Sequence, residues 1–172
     1  MTVQYYEWQD LLDSAAQKNE PPFLLILDGL EDPRNFGAIL RTAEAAGAHG
    51  VIIPKRRSVQ VNDTVRRTST GAADLVPVAQ VANINEIIKR LKKMGVWIAG
   101  LEANGDKDYR DGDYSGGVTL VVGGEGNGLA RLTRELCDYI VSIPLKGRIT
   151  SLNASVAAAL LMYEVVRQRD TR

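Results

Sequence analysis

The segment from Val118 to Leu132 reads "VTLVVGGEGNGLARL" and joins an apolar run to a glycine-rich loop. The five β-branched or aliphatic residues at its start predict a buried strand. Four glycines among the next six residues predict a tight turn that something approaches closely. The loop matches neither the P-loop nor the dinucleotide fingerprint, because no lysine follows the glycines and G-x-G-x-x-G is not formed. Glu125, the one carboxylate among these glycines, is either a solvated turn residue or part of a site.

Short apolar runs like this one recur along the chain and alternate with helical patterns. The runs predict strands at residues 23–28, 50–54, 75–79, 96–101, 118–122 and 139–144. The helical patterns cover about 33–46, 83–94, 129–136 and 153–169. Such alternation needs right-handed crossovers, hence a mainly parallel sheet with helices on both faces. We therefore expect one α/β domain at residues 21–172, preceded by an N-terminal helical extension at residues 1–20.

Composition excludes several classes of function. The 172 residues carry 21 basic and 21 acidic side chains, so no overall charge indicates a partner. Cys137 and His49 are the only cysteine and histidine. An intrachain disulfide is therefore excluded, and a Cys/His metal site or a Ser/His triad is disfavoured. With no apolar run of 18 residues and no secretion signal, we expect a soluble, cytoplasmic protein without a metal.

The loop after the first strand is the first of two further candidate regions, since ligands of such sheets bind at the carboxyl ends of the strands. It begins the segment "DPRNFGAILRTAEAAG", residues 32–47. Asp32 or Asn35 can serve as the N-cap of the helix that follows. Packing explains the apolar residues but leaves Arg34, Asn35 and Arg41 unexplained. Arg41 is either a solvated helix residue paired with a nearby glutamate or a functional group.

The loop after the last strand is the second candidate region. It begins the segment "IPLKGRITSLNASVAAALLMYEVVRQR", residues 143–169, in which a small and apolar helix is predicted to be buried or to form an interface. Ser151 or Asn153 caps this helix. Together with Lys146 and Arg148, the helix start is suited to an anion.

These segments, in this order, resemble the three motifs of the SpoU (also called TrmH) family of RNA ribose 2′-O-methyltransferases, in the SPOUT superfamily. The motifs appear as "DPRNFGAILRTAEAAG", "VVGGEGNGL" and "IPLKGRITSLNASVAAALLMYE". The intervening sequence is similar to the subgroup that methylates a guanosine in 23S ribosomal RNA. Other family members modify transfer RNA, which leaves a tRNA ribose 2′-O-methyltransferase as an alternative.

The resemblance implies an α/β-knot, in which the C-terminal segment forms a deep trefoil, and S-adenosylmethionine as the cofactor. The cofactor-binding residues implied are Leu101, Glu102, Ala103, Gly124, Glu125, Gly126, Ile143, Leu145, Leu152 and Asn153. The catalytic residues implied are Asn35, Arg41, Glu125, Ser151 and Asn153. Candidates for contacts with RNA are Arg34, Lys55, Arg56, Arg57, Arg66, Arg67, Lys146 and Arg148.

Arg41 is expected to bind the phosphate beside the target ribose and to polarise the 2′-oxygen, because a guanidinium with a pKa above about 12 is a poor base. The resemblance also implies a homodimer that pairs through the knot helices, and Val156, Leu160, Met162 and Tyr163 of the last helix are expected to be partly buried in its interface. Members of the ribosomal subgroup usually carry an N-terminal RNA-binding domain, whereas this chain begins where their catalytic part begins. It is expected to be either that part alone or a naturally short member.

Two functions of another kind remain open at this stage. The first is a non-catalytic RNA-binding or ribosome-assembly protein with the same fold. The second is a methyltransferase for small molecules, which the basic clusters "PKRR" and "RR" disfavour.

Overall fold

Seven parallel strands form a single sheet in the computed structural model, which describes residues 3–170. The strands are β1 (Phe23–Asp28), β2 (Gly50–Pro54), β3 (Val78–Val81), β4 (Trp97–Leu101), β5 (Lys107–Asp108), β6 (Val118–Gly123) and β7 (Tyr139–Ser142). Their order in the sheet is β3-β2-β1-β6-β4-β7-β5. The predicted α/β class with a parallel sheet is confirmed.

Helices connect the strands and cover both faces of the sheet. They are α1 (Trp8–Gln17), α2 (Pro33–Ala46), α3 (Asp63–Thr68), α4 (Ile84–Lys93), α5 (Arg131–Leu136) and α6 (Ala154–Asp170). Two short 3-10 turns lie at Ala72–Asp74 and Tyr109–Asp111. Within residues 3–170, no helix combines the length and apolarity that crossing a bilayer requires.

Strand β1 shows why the core lies on both faces. Leu25 and Leu27 join a cluster that includes residues of α2 and α6, whereas Leu24 and Ile26 join a second cluster with residues of α1 and α4. All four side chains are fully buried, and each large aliphatic side chain contributes about 1.5–3 kcal/mol when removed from water. Because side chains alternate between the two faces of a strand, β1 contributes to a core on each face. A strand that is buried on both faces is therefore apolar at consecutive positions.

The N-terminal helix packs on the same sheet as the rest of the chain. Trp8 and Leu11 of α1 are buried in the second cluster, and the backbone N–H of Tyr6 donates to the carbonyl of Val78. Arg90 of α4 also lies over the Trp8 ring. The helical extension is thus placed against β3 and α4, and its separation from a domain at residues 21–172 stays a prediction.

One predicted strand is displaced along the sequence, and two short elements were not predicted. The third strand is Val78–Val81 rather than 75–79, because a 3-10 turn precedes it and Leu75 is 67% exposed. The polar edge strand β5 and the short helix α3 were not predicted. Neither has the apolar periodicity on which the prediction rested.

The last strand lies inside the sheet although another strand connection passes around it. Strand β7 sits between β4 and β5, so the chain that runs from β4 through β5 to β6 passes around β7. This order encloses the start of the C-terminal segment. The trefoil knot implied by the resemblance is consistent with this enclosure and stays a prediction.

Helix α6 is fixed at its carboxyl end by one arginine. The guanidinium of Arg169 donates to four backbone carbonyls, at distances of 2.8–3.2 Å. These carbonyls belong to Pro21, Pro22, Tyr114 and Gly116. The bonds tie the end of α6 to the segments that enter β1 and β6, and so hold the whole helix against the sheet.

Candidate functional site

The glycine loop, residues 123–128, leaves β6 at the carboxyl edge of the sheet. Gly126 and Gly128 adopt φ angles of 81° and 66°, the left-handed region that favours glycine. Gly124 is needed for a different reason, since a Cβ there would lie 2.5 Å from the carbonyl oxygen of Gly29. The loop is therefore packed directly against the backbone that follows β1.

Glu125 links this loop to the start of α2. One carboxylate oxygen accepts from the backbone N–H of Glu31, at 3.2 Å. The other accepts from the backbone N–H of Asp32 and from Nδ2 of Asn35, at 3.2 and 3.1 Å. Burial opposes ionisation of Glu125, but these hydrogen bonds outweigh it and lower the pKa of the carboxyl. Glu125 is thus an anchored carboxylate, although the residue is exposed to solvent.

Asn153 extends the same network to α6. Its Nδ2 donates to Oδ1 of Asn35 at 3.1 Å, and its Oδ1 accepts from the backbone N–H groups of Ser155 and Val156. Asn153 is therefore the N-cap of α6, while Asp32 caps α2 by accepting from the N–H of Arg34. The carboxylate of Glu125 needs a donor from Asn35, and the N–H groups at the start of α6 need an acceptor from Asn153. The oxygen and nitrogen of both side-chain amides are therefore placed in one consistent way.

The hydrogen-bonded chain Asn153–Asn35–Glu125 borders a cavity of about 310 Å³. Asn35 is buried although it is polar, which fits a role in joining the three loops. All ten predicted cofactor-binding residues line the cavity, namely Leu101, Glu102, Ala103, Gly124, Glu125, Gly126, Ile143, Leu145, Leu152 and Asn153. The walls combine backbone with aliphatic side chains, a composition typical of small-molecule sites.

Arg41 and Ser151 are the predicted catalytic residues outside the network. Arg41 is exposed on α2, and within residues 3–170 its guanidinium forms no hydrogen bond and no ion pair, either with Glu31 or with Glu44. Ser151 is also exposed and lines the cavity, and no hydrogen bond of its hydroxyl occurs in the described part of the chain. Both side chains are thus available to a ligand.

Sequence patterns missed the role of two carboxylates beside the end of the glycine loop. Glu102 accepts from the N–H of Leu129 at 3.0 Å and forms an ion pair with Arg134. Asp28 accepts from the N–H of Ala130 at 2.9 Å. The partners are 27 or more residues apart in sequence, so no local signal could have identified them.

The sequence profile of the SpoU rRNA methylase family matches residues 22–163. The chain belongs to this family. The predicted membership of the SpoU (TrmH) methyltransferases is therefore confirmed.

Several relatives in this family are half identical to the chain. A Bacillus subtilis TrmH family tRNA/rRNA methyltransferase named YacO is 50% identical over 167 residues, which are 97% of this chain and 67% of that protein. A TrmH family tRNA/rRNA methyltransferase of Staphylococcus aureus is 49% identical over 166 residues, or 96% of this chain and 67% of that protein. The similarity thus covers both motifs and intervening sequence.

Solved structures of family members have the same fold. The SpoU methyltransferase AviRb of Streptomyces viridochromogenes, in complex with the cofactor AdoMet, superposes with a TM-score of 0.82 and 34% identity, over 89% of this chain and 63% of that one. An AdoMet-bound rRNA methyltransferase of Sinorhizobium meliloti superposes with a TM-score of 0.83 and 32% identity, over 95% of this chain and 61% of that one. The A. aeolicus TrmH/SpoU tRNA modifying enzyme superposes with a TM-score of 0.81 and 25% identity, over 94% of this chain and 85% of that one. The chain spans less than two thirds of the two AdoMet-bound proteins.

The basic residues of this SpoU family member fall into separate groups. Lys55, Arg56 and Arg57 are exposed directly after β2. Lys146 and Arg148 are exposed in the loop that leads from β7 past the cavity to α6. These five cations lie in loops at the carboxyl ends of strands, the edge at which the cavity also opens.

Three other predicted RNA contacts have a different setting. Arg34 is exposed at the start of α2 and pairs with Asp32 at 3.5 Å. Arg67 is exposed and donates to Thr64 within α3. Arg66 is half-buried and lines a second groove, beside Val76 and Val78, so it is not part of the cavity.

In residues 3–170, no group of His, Cys, Asp or Glu side chains is arranged to hold a metal ion. Cys137 is half-buried, and burial raises the pKa of its thiol to about 12. It therefore remains a neutral thiol near pH 7 and is a poor nucleophile.

Proposed function

We propose that this chain transfers a methyl group from S-adenosylmethionine to a ribose 2′-oxygen of RNA. The observation that carries the proposal is the hydrogen-bonded chain of Asn153, Asn35 and Glu125, which brings all three family motifs to the rim of one cavity. The AdoMet-bound structures of related methyltransferases support the same cofactor here.

The residues around the cavity fit this cofactor. Leu101, Leu145 and Leu152 give aliphatic surfaces suited to a flat adenine ring. Glu125 is ionised, and its protein partners are neutral N–H donors, so its negative charge suits a sulfonium. When bound, S-adenosylmethionine supplies a methyl group on a positively charged sulfur.

Arg41 is assigned to the RNA side of the reaction. Its unpaired guanidinium is free to bind a phosphate and to donate a hydrogen bond to the ribose 2′-oxygen. It cannot act as a base, because a guanidinium stays protonated at neutral pH. In-line transfer then depends on holding the 2′-oxygen in line with the methyl group, and the hydroxyl proton leaves to solvent.

Glu125 is assigned a positioning role rather than that of a general base. Both of its oxygens already accept hydrogen bonds, and its lowered pKa makes it a weak proton acceptor. Asn35 and Asn153 keep α2 and α6 in register with the glycine loop. The exposed Ser151 hydroxyl is the remaining polar group that can contact cofactor or ribose.

The RNA proposed is ribosomal, with a guanosine of 23S RNA as the target. The support is the similarity of the sequence between the motifs to the ribosomal subgroup, together with the exposed cations after β2 and β7. The relatives named as tRNA/rRNA methyltransferases support either RNA, so transfer RNA is the second candidate. We propose the cytoplasm as the site of action, because it contains both RNAs.

We further propose a homodimer that forms through α6. Val156, Leu160 and Tyr163 form a stripe along one face of this helix and are 49%, 39% and 47% exposed. Their spacing is that of one helical face, and burying them in part would stabilise a dimer. Met162, which the sequence also suggested for this interface, is fully buried within the chain and cannot contribute.

The proposal is tested by two measurements on the same preparation. Isothermal titration with S-adenosylmethionine is expected to give saturable binding. Incubation with the methyl-labelled cofactor is then expected to label 23S ribosomal RNA in preference to transfer RNA. Binding without transfer to either RNA would favour a non-catalytic RNA-binding protein, and labelling of transfer RNA alone would identify the second candidate.

A further inference from the structure

Glu102 is the second carboxylate at the cavity, and its side chain contacts parts of the protein rather than open solvent. It directly follows β4, and its side chain is 16% exposed. One carboxylate oxygen accepts from the backbone N–H of Leu129, and the other pairs with Arg134 of α5. Both oxygens are thus engaged by the segment that follows the glycine loop.

We propose that Glu102, together with Arg134, is a positioning residue that holds the glycine loop in the form that shapes the cofactor cavity. This inference rests on the proposed function, because it concerns the same cavity. It assigns the Glu102 side chain a role that is distinct from the cofactor contact implied by the resemblance.

The N–H of Gly128 closes the glycine loop by donating to the carbonyl of Gly124 at 3.2 Å, and the residues that follow bind acceptors from other elements. Gly128 is left-handed and turns the chain, and Leu129 begins the approach to α5. The N-cap of that helix, Ala130, has no side chain that can accept hydrogen bonds, and the helix has only six residues. Glu102, directly after β4, and Asp28, at the end of β1, accept from two successive N–H groups just before this helix, so they fix the path of the chain from the glycine loop to α5.

Gly128 and the side chain of Glu102 also pack closely against each other. A Cβ at Gly128 would lie 3.1 Å from a carboxylate oxygen of Glu102. The absent side chain at this position therefore leaves the space that the carboxylate occupies. Movement of Glu102 would open a gap behind Gly128, in the wall of the cavity that both residues line.

Charge distinguishes Glu102 from Glu125. Glu102 is paired with the guanidinium of Arg134, whereas Glu125 receives only neutral donors. The negative charge of Glu102 is therefore offset inside the protein. This leaves Glu125 as the carboxylate whose charge a cationic ligand would meet, and Glu102 as a group that acts through the loop.

The test uses Glu102→Gln, Arg134→Met and the double variant. Glutamine keeps an acceptor for Leu129 but loses the ion pair, and Arg134→Met removes the ion pair from the other side. Each single variant is expected to weaken S-adenosylmethionine binding about tenfold by calorimetry, which is about 1.4 kcal/mol. The double variant is expected to be no weaker than either single one, because both changes remove the same interaction.

Hydrogen–deuterium exchange without cofactor gives a second readout. Both single variants are expected to speed exchange in residues 123–130 but not in the core strand β1. Glu135→Gln is the control, since Glu135 pairs with Arg131 on the solvent side of the same helix. Arg134→Lys, which keeps a cation, is expected to restore much of the affinity.

The outcomes separate the inference from the proposed function. If the wild-type chain did not bind S-adenosylmethionine, both would be overturned. If it bound and the variants matched it in affinity and exchange, the positioning role alone would be refuted. Weak binding by Glu102→Gln with normal binding by Arg134→Met would mean that the carboxylate contacts the cofactor directly, which also overturns the positioning role.

Discussion

Replacing Glu125 by glutamine tests whether its anchoring contacts hold the site together. The carboxylate accepts three hydrogen bonds, from the N–H groups of Glu31 and Asp32 and from the side chain of Asn35. Glutamine has one acceptor oxygen and places an amide N–H₂ where a second acceptor is needed. At least one bond is lost, and a donor faces a donor.

The magnitude follows from the number and exposure of these bonds. A hydrogen bond to a charged group contributes about 1.5–3 kcal/mol when buried, and solvent lowers this value at an exposed residue such as Glu125. We therefore expect Glu125→Gln to lower the free energy of unfolding by about 1 kcal/mol. For a chain of this length, that corresponds to a fall in Tm of about 2–4 °C. Methyl transfer is expected to fall more steeply, because the motifs lose their alignment.

The stabilisation by Glu125 should depend on pH, and the direction of its pKa shift fixes how. The pKa of Glu125 is lowered in the folded protein, so the stability it contributes is present above the unfolded pKa and is lost as pH falls through the folded value. The difference in Tm between wild type and Glu125→Gln should thus be full at pH 7 and shrink in acid. Calorimetric melts over this range measure it, with Glu44→Gln on the exposed face of α2 as the control. Equal melting at pH 7 would refute the reasoning.

Three further predictions concern other parts of the molecule. Arg41→Ala should slow methyl transfer at least about a hundredfold in a labelled-methyl assay, while calorimetry shows nearly unchanged cofactor affinity; weakened cofactor binding would contradict the assigned role. Tyr163→Asp should give a monomer by light scattering, whereas an unchanged mass would exclude this helix face as the dimer contact. Burial lowers the pKa of His49, whose ring accepts from the N–H of Phe23, so Tm should fall as pH drops below about 6.5; His49→Gln should flatten that fall, and equal slopes would disprove it.

The sheet could be predicted because its central strands are continuously apolar. β1 and α2 have the bounds that the sequence indicated, and the C-cap of α2, Gly47, is left-handed. The edge strand β5 consists of Lys107 and Asp108, and its pairing with β7 depends on the path of the chain rather than on side-chain pattern. Helix α3 had one usable signal, the N-cap Asn62, whose side chain accepts from Val65.

The residues of the site could be predicted from the sequence, but the contacts between them could not. The motif residues Asn35, Glu125 and Asn153 were identified, yet contacts across 90 and 118 positions follow only from the folded chain. Valine at Gly124, in the lining of the cavity, would place a side chain where the cofactor is proposed to bind. The structure gives another cause of damage, because the new Cβ would collide with the backbone at Gly29 and disturb folding itself.

The central claim is that the joined motifs position a ribose 2′-oxygen for methyl transfer. Its most direct test is mass spectrometry of nucleosides from RNA incubated with the chain and S-adenosylmethionine carrying a deuterated methyl group. We expect a 2′-O-methylated nucleoside that carries the label on its ribose and is absent with Arg41→Ala. Label on a base, or no labelled nucleoside from a chain that binds the cofactor, would contradict it.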